Sequence, residues 1–288
     1  MESAPIPKIP DDTRQNAAMM RTKMIVRPTL FPALLSCLLV AACASGKEKD
    51  ALLADTDQPV EVLYNQALDA SEAGDLVKAA ERFEDVERLY PYSPWATQAQ
   101  LLYAFTLYED MRYEEAVVAI DRFIELHPGH PQIAYAYYLK GLMYYEQISD
   151  IGRDQEMTEK ALAALRDVTR RFPQSVYARD AALKIDLTLD HLAGKEMEIG
   201  RFYLKRKNYL AAINRFRAVV DQYQTTSHTA EALHRLTEAY LALGLADEAR
   251  RNAAVLGYNY PGSTWYTSSF KLLQKYGVTP ADPATGKS

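Results

Sequence analysis

One phrase recurs along this chain at spacings that admit few folds. It reads Tyr90-Pro91-Tyr92-Ser93, His127-Pro128-Gly129-His130, Phe172-Pro173-Gln174-Ser175 and Tyr260-Pro261-Gly262-Ser263, with a degenerate copy at Tyr223-Gln224-Thr225-Thr226. Twelve residues before each proline position stands an alanine: Ala79, Ala116, Ala161, Ala212 and Ala249. The steps between these alanines are 37, 45, 51 and 37 residues, a period of 37 with insertions of 8 and 14. Ala67, Ala104, Gly141, Gly200 and Thr237 form a second set of small residues, one in the first half of each period. Large apolar residues follow the alanines four positions on and again three further on, as in Phe83 and Val86 or Phe216 and Val219. That spacing lays one apolar stripe on each helix, and the proline stops the second helix of each pair.

Five copies of this pattern resemble the tetratricopeptide repeat, in which small residues let paired helices approach closely. The resemblance implies an all-α fold: a right-handed superhelix of five helix pairs, each touching its neighbours, plus a C-terminal capping helix. Ser263 to Tyr276 suits the cap, with Ser263 as N-cap and Gly277 at the C′ position. The 14-residue insertion falls before Gly200, so residues 176–206 form one long helix or two broken near Gly194. If helical, the insertion adds about 21 Å. The 8-residue insertion falls within Gln147–Lys160 and reads as a polar loop. The expected organisation is residues 59–173 as repeats 1–3, an N-terminal binding module. Residues 174–276 then form a C-terminal module of spine helix, repeats 4 and 5 and cap, followed by a structureless tail, 277–288.

The N-terminal region reads differently. An apolar stretch from about Leu30 to Ala42 is too short for a membrane span but suits a signal-peptide core, and Arg21, Lys23 and Arg27 precede it. It ends Leu39-Val40-Ala41-Ala42-Cys43, which resembles the lipobox, the processing and acylation site of bacterial lipoproteins. Residues 1–42 are therefore read as leader and signal, with translation starting at Met20 or Met24, and residues 43–58 as a flexible tether. Cys43 is the expected lipidation site, carrying diacylglycerol and an N-acyl chain; no other cofactor is expected. Cys37 leaves with the signal, so the mature chain has no thiol for a disulfide. Its 28 basic and 35 acidic residues give a net charge of −7, which argues against nucleic acid as partner. Ala44 and Ser45, with no Asp beside the cysteine, match the sorting pattern for the outer membrane.

Catalytic patterns are weak by comparison. Thr285-Gly286-Lys287-Ser288 imitates half a phosphate loop, but Ala281 stands where its first glycine belongs and no helix can follow. His127 and His130 flank a turn without a Cys or third His, so no metal site is expected. Acidic residues such as Glu81, Glu84, Asp85 and Glu87 read as a solvated helix face. The reading is a binding protein, not an enzyme. The twenty tyrosines carry more information, because Tyr103, Tyr108, Tyr135, Tyr137, Tyr138, Tyr144 and Tyr145 crowd the first helices of repeats 2 and 3. Neighbouring helix positions differ by about 100°, so Tyr137, Tyr138, Tyr144 and Tyr145 cannot share one buried stripe. The repeat pattern nominates Tyr103, Leu107, Tyr137, Tyr138 and Tyr144 for a groove that receives a peptide.

Lipobox, repeats and insertions together resemble the BamD (ComL) family of outer-membrane assembly lipoproteins. The most specific stretches are Tyr135-Ala136-Tyr137-Tyr138-Leu139-Lys140-Gly141-Leu142, Arg171-Phe172-Pro173-Gln174-Ser175-Val176-Tyr177-Ala178, Gly200-Arg201-Phe202-Tyr203 and Tyr209-Leu210-Ala211-Ala212-Ile213-Asn214-Arg215. The resemblance implies a non-enzymatic subunit of the β-barrel assembly machinery, lipid-anchored at the periplasmic face of the outer membrane. Its C-terminal repeats would hold the periplasmic domains of the barrel subunit, its N-terminal repeats would recognise unfolded outer-membrane proteins, and other assembly lipoproteins would be partners. By the same resemblance Arg215 matches the arginine of the family's Asn-Arg pair and would contact the barrel subunit. The competing reading is a periplasmic repeat regulator of envelope or peptidoglycan synthesis, of the Tol-associated type.

Overall fold

The computed structural model describes residues 58–279. The expected signal peptide, Met20, Met24, Cys43, nearly all of the expected tether and the last nine residues lie outside that range.

Eleven helices and no strands make up the described residues. In chain order they are α1 Val60–Glu72, α2 Leu76–Leu89, α3 Pro94–Glu109, α4 Tyr113–Leu126, α5 Ile133–Tyr145, α6 Glu156–Arg171, α7 Val176–Lys205, α8 Tyr209–Gln222, α9 Thr229–Ala242, α10 Ala246–Asn259 and α11 Thr264–Lys275. They form five helix pairs and a final single helix, as the period requires. All ten small positions are buried, and so are the large residues that follow the alanines, from Phe83 and Val86 to Ala253 and Leu256. The chain parts into two compact units between Tyr135 and Ala136, inside α5. That is a division of packing; the expected line after Pro173 was drawn between binding modules.

The recurring phrase works as a stop and a restart. Tyr90, His127, Phe172, Tyr223 and Tyr260 each follow a second helix, and all share φ between −126° and −134° with ψ between 40° and 54°. A proline next in line disfavours helix at such a residue. Tyr223 adopts the same conformation before Gln224, so packing enforces the turn where proline is missing. Three residues on, Ser93, Ser175 and Ser263 cap the following helices by accepting hydrogen bonds from Trp95, Ala178 and Tyr266 N–H groups. His130 Nδ1 accepts from Gln132 N–H in the corresponding place.

Within each pair, the turn between helices has its own rule. Seven residues after the small residue, Gly74, Met111, Lys207 and Gly244 have φ of 78°, 57°, 60° and 77°. Two repeats use glycine there; two hold a bulky side chain in a left-handed conformation.

The larger insertion lengthens α7 to 30 residues, about 45 Å, with no break at Gly194. Gly194 makes room instead: a Cβ there would stand 3.0 Å from Ile151 Cδ1 and 3.3 Å from His228 Nε2. The smaller insertion supplies that Ile151, so it is not only a polar loop at an edge. It lies along α7, where Lys195 Nζ donates to Gly152 O at 3.1 Å and His191 Nδ1 meets Gln155 Oε1 at 3.0 Å. From the other side, Ser227 donates its N–H and hydroxyl to Asp190. The two insertions thus brace one another.

At the C-terminus, α11 packs on both α9 and α10. Gly277, at φ 69°, ends it, and Val278 N–H bonds to Leu273 O at 3.0 Å. Val278 packs against the cluster of Leu241, Ala249, Ala253 and Leu273, so Gly277 and Val278 belong to the cap and not to a structureless tail.

Candidate functional site

Three clefts open between the helices of repeats 2, 3 and 4, and they occupy matching positions. Each is walled by the residue four before the small residue of the first helix, and by residues two and three after the alanine of the second. For repeat 2 these are Gln100, Val118 and Ala119; for repeat 3, Tyr137, Ala163 and Ala164; for repeat 4, Glu196, Asn214 and Arg215.

The repeat 2 cleft, about 310 Å³, lies in the first unit and is acidic. Glu84, Glu87 and Glu115 line it, with Arg122 bonded to Glu87 at 2.6 Å. Tyr103 forms part of the wall. Burial pushes its hydroxyl pKa up, and the charge of Glu84 adds to that. The exposed Val118 adds an apolar edge.

Tyr137 and Tyr144 line the repeat 3 cleft of about 240 Å³, in the second unit. Both rings are capped by cations: Arg171 stands 5.2 Å from the centroid of Tyr137, and Lys160 stands 5.9 Å from that of Tyr144.

Leu107 and Tyr138 do not join them. Leu107 is only 1% exposed. Its position, three after the small residue, faces inward; tyrosines there (Tyr144, Tyr203, Tyr240) reach the surface because they are longer. Tyr138 sits 100° round the helix from Tyr137 and packs on α7. There it stacks on Tyr177, with centroids 5.3 Å apart, and donates its hydroxyl to Asp180. Burial works to raise the Asp180 pKa, but the hydrogen bonds from Tyr138 and Lys184 outweigh it and hold the carboxyl below its usual value. Of the five groove residues read from sequence, Tyr103, Tyr137 and Tyr144 line clefts, while Leu107 and Tyr138 are core.

Arg215 lines the repeat 4 cleft, about 380 Å³, but does not reach out freely. Its Nη1 donates to both oxygens of Glu196 on α7, at 3.2 and 3.3 Å. The side chain is still 44% exposed. Tyr203 and Tyr223 complete the walls. At the end of α7, where Phe202 packs edge-on against Tyr203 of the cleft wall, sequence reasoning missed exposed apolar side chains. Phe202 is 50% exposed with the Arg206 guanidinium 4.2 Å from its ring centroid, and Leu210 is 68% exposed. The run Lys205-Arg206-Lys207 at the end of α7 therefore supplies a cation to an exposed ring. The signal was available in Phe202 and Leu210, which fall outside the apolar stripe.

His234 and Ser269 share a 2.8 Å hydrogen bond, but Ser269 is fully buried and the pair docks α11. Among the described residues no cluster of three or more His, Cys, Asp or Glu could hold a metal, and no helix is long and apolar enough to cross a membrane.

Comparisons with known proteins agree in direction. The family model YfiO, described as an outer membrane lipoprotein, matches residues 56–256. The chain is 52% identical over 256 residues to an outer membrane protein assembly factor BamD from Caulobacter vibrioides, covering 88% of this chain and 84% of the relative. It is 48% identical over 248 residues to a protein of the same name from Rickettsia prowazekii, covering 84% and 97%. A solved tetratricopeptide-repeat protein from Thermus thermophilus is similar at 19% identity and a TM-score of 0.35, over 76% of this chain and 97% of that one.

Proposed function

Since the chain belongs to the BamD (YfiO) family of outer membrane protein assembly factors, we propose that it is a non-enzymatic lipoprotein subunit of a β-barrel assembly machine. The observation that carries this is identity near one half with named assembly factors over most of both chains. The Tol-associated alternative is not favoured, because the relatives matched over most of both chains are named outer membrane protein assembly factors.

In this reading the second unit holds the periplasmic domains of the barrel subunit through the repeat 4 face. Arg215 offers a guanidinium at a cleft, and Phe202 with Arg206 offers an exposed ring and cation beside it. Aromatic and arginine side chains of this kind anchor protein interfaces. Clefts with tyrosine walls, at Tyr103 and at Tyr137 and Tyr144, suit segments of unfolded outer-membrane proteins, since tyrosine combines apolar area with a polar tip. Diacylglycerol and an N-acyl chain on Cys43 tether the protein to the periplasmic face of the outer membrane, beside other assembly lipoproteins.

The test is affinity purification of the tagged protein from outer membranes in mild detergent. A large β-barrel partner should co-purify, and Arg215→Glu with Arg206→Glu should reduce its recovery severalfold while the protein stays folded. Recovery of the wild-type protein alone would refute the reading. Separately, Cys43→Ser should abolish labelling by radioactive palmitate; persistent labelling would remove Cys43 as the anchor.

A further inference from the structure

One side of α7 changes its surroundings along the length of the helix. From Asp190 onwards that side meets the start of α9 and the turn before it. Asp190 accepts from Ser227, Gly194 faces His228, and Arg201 pairs with Glu231 at 3.1 Å. Met197, at a similar angle round the helix, shares a cluster with Ala232 and Leu236. α9 begins only at Thr229, and the roughly four turns of α7 before Asp190 present the same side to solvent.

At 100° per residue, Val176, Arg179, Ala182, Leu183, Asp186 and Leu187 fall within about 140° of one another. All six are exposed, Val176 at 81%, Leu183 at 61% and Leu187 at 60%. The opposite side of the helix is held by repeat 3, through Tyr177, Asp180 and Lys184. Three large aliphatic side chains in one exposed row go beyond the scattered apolar residues of an ordinary surface. Arg179 and Asp186, two turns apart in the same row, have no ion-pair or hydrogen-bond partner among the described residues.

The row is complementary to itself when turned end for end. With a twofold axis level with Ala182 and Leu183, Arg179 of one copy stands level with Asp186 of the other, and the reverse holds too. Leu183 meets Leu183 across the axis, and Leu187 meets Val176 on the same flank, twice. A parallel pairing in register would instead set arginine against arginine and aspartate against aspartate.

We infer that this face of α7 is a self-association site, on which a second copy of the chain docks antiparallel through two reciprocal Arg179–Asp186 pairs around a Leu183 contact. The six side chains per copy are far fewer than the roughly 20 a side of a stable complex. The dimer is therefore weak, with a dissociation constant on the order of 100 µM.

The test is sedimentation velocity of the full-length protein in mild detergent, from about 10 µM to about 300 µM. The wild type should pass from monomer to dimer across that range. Arg179→Asp alone and Asp186→Arg alone each set two like-charged pairs across the axis, and each should weaken association about tenfold. Mixed in equal amounts, the two variants should associate with each other as the wild type does, since each supplies the charge the other lacks. That recovery also shows that neither variant is misfolded. Leu183→Glu should abolish the dimer, with helical circular dichroism unchanged. A wild type that stays monomeric throughout overturns the inference and leaves the face to a different chain. A dimer that persists in any of the three variants alone, or a mixture that associates no better than its components, overturns it as well.

Discussion

Gly200 lies against the ring of Phe216, and a Cβ at that position would stand 2.4 Å from Cε1 and 2.8 Å from Cδ1. Phe216 is fully buried among Ala193, Met197, Ala212 and Ala232, so the ring has nowhere to turn. Gly200→Ala should therefore cost about 2–3 kcal/mol, read from the urea midpoint. Gly141→Ala should cost less, because the atom it meets is the flexible end of Leu165, at 2.8 Å. Equal midpoints for the two variants would contradict this account. Lys207 predicts the opposite sign. Its φ of 60° is a conformation glycine adopts without strain in two other repeats. Lys207→Gly should raise stability by about 0.5–1 kcal/mol, the relief of backbone strain exceeding the entropy of the freer unfolded chain. Residue spacing made Gly200 and Gly141 legible as contact points. Gly194 was not legible, since the neighbour that crowds it, Ile151, comes from an insertion outside the period.

At the level of elements, helix number, order and stops followed from proline and alanine spacing, and Ser263 capped α11 as its position implied. What periodicity could not supply was the fate of inserted residues, which obey no repeat. The continuous α7 and the loop braced along it depend on contacts between segments some 40 residues apart. The capping helix adds a pH dependence. His234 is buried against Ser269 and Trp265. Burial, then the charge of Arg235, lowers its pKa, although Glu238 and Glu231 push the other way. The imidazole is therefore harder to protonate in the fold than in the unfolded chain, where its pKa is about 6.5. Stability from this site is full above that value and is lost as the pH falls through it towards the folded pKa. Melting temperature should drop between pH 7.5 and pH 5, and His234→Gln should flatten the drop; an unchanged slope would relieve His234 of the role.

Across the whole molecule, the five helix pairs were legible because each period is a complete supersecondary element. The boundary between units inside α5 was not, since no composition change marks Tyr135 or Ala136. In arrays of this kind each repeat contacts only its neighbours, and cooperativity weakens with length. The chain's two tryptophans report on this directly: Trp95 lies in α3 of the first unit and Trp265 in α11 of the second. Trp95→Phe and Trp265→Phe variants, each leaving one reporter, should give urea midpoints that do not coincide. Coincident midpoints would mean that the two units unfold as one. Candidate surfaces were legible to a lesser degree. Tyrosine crowding marked the right helices, but which tyrosines reach solvent depends on helix neighbours that single-sequence spacing does not name.

Glu196 has a bearing on how quickly and how selectively anything can engage Arg215. A carboxylate already tethered within the same helix pair competes at an effective concentration in the millimolar range or above. An incoming acidic group does not simply fill a vacancy; it must exchange with a resident rival, and it gains only the difference between two similar pairs. A surface without a carboxylate leaves the resident pair closed and meets no loose cation. Glu196→Gln should therefore make Arg215 a stickier and less discriminating contact, tightening association with acidic surfaces of every kind. The internal pair acts as a threshold that weak encounters fail to cross.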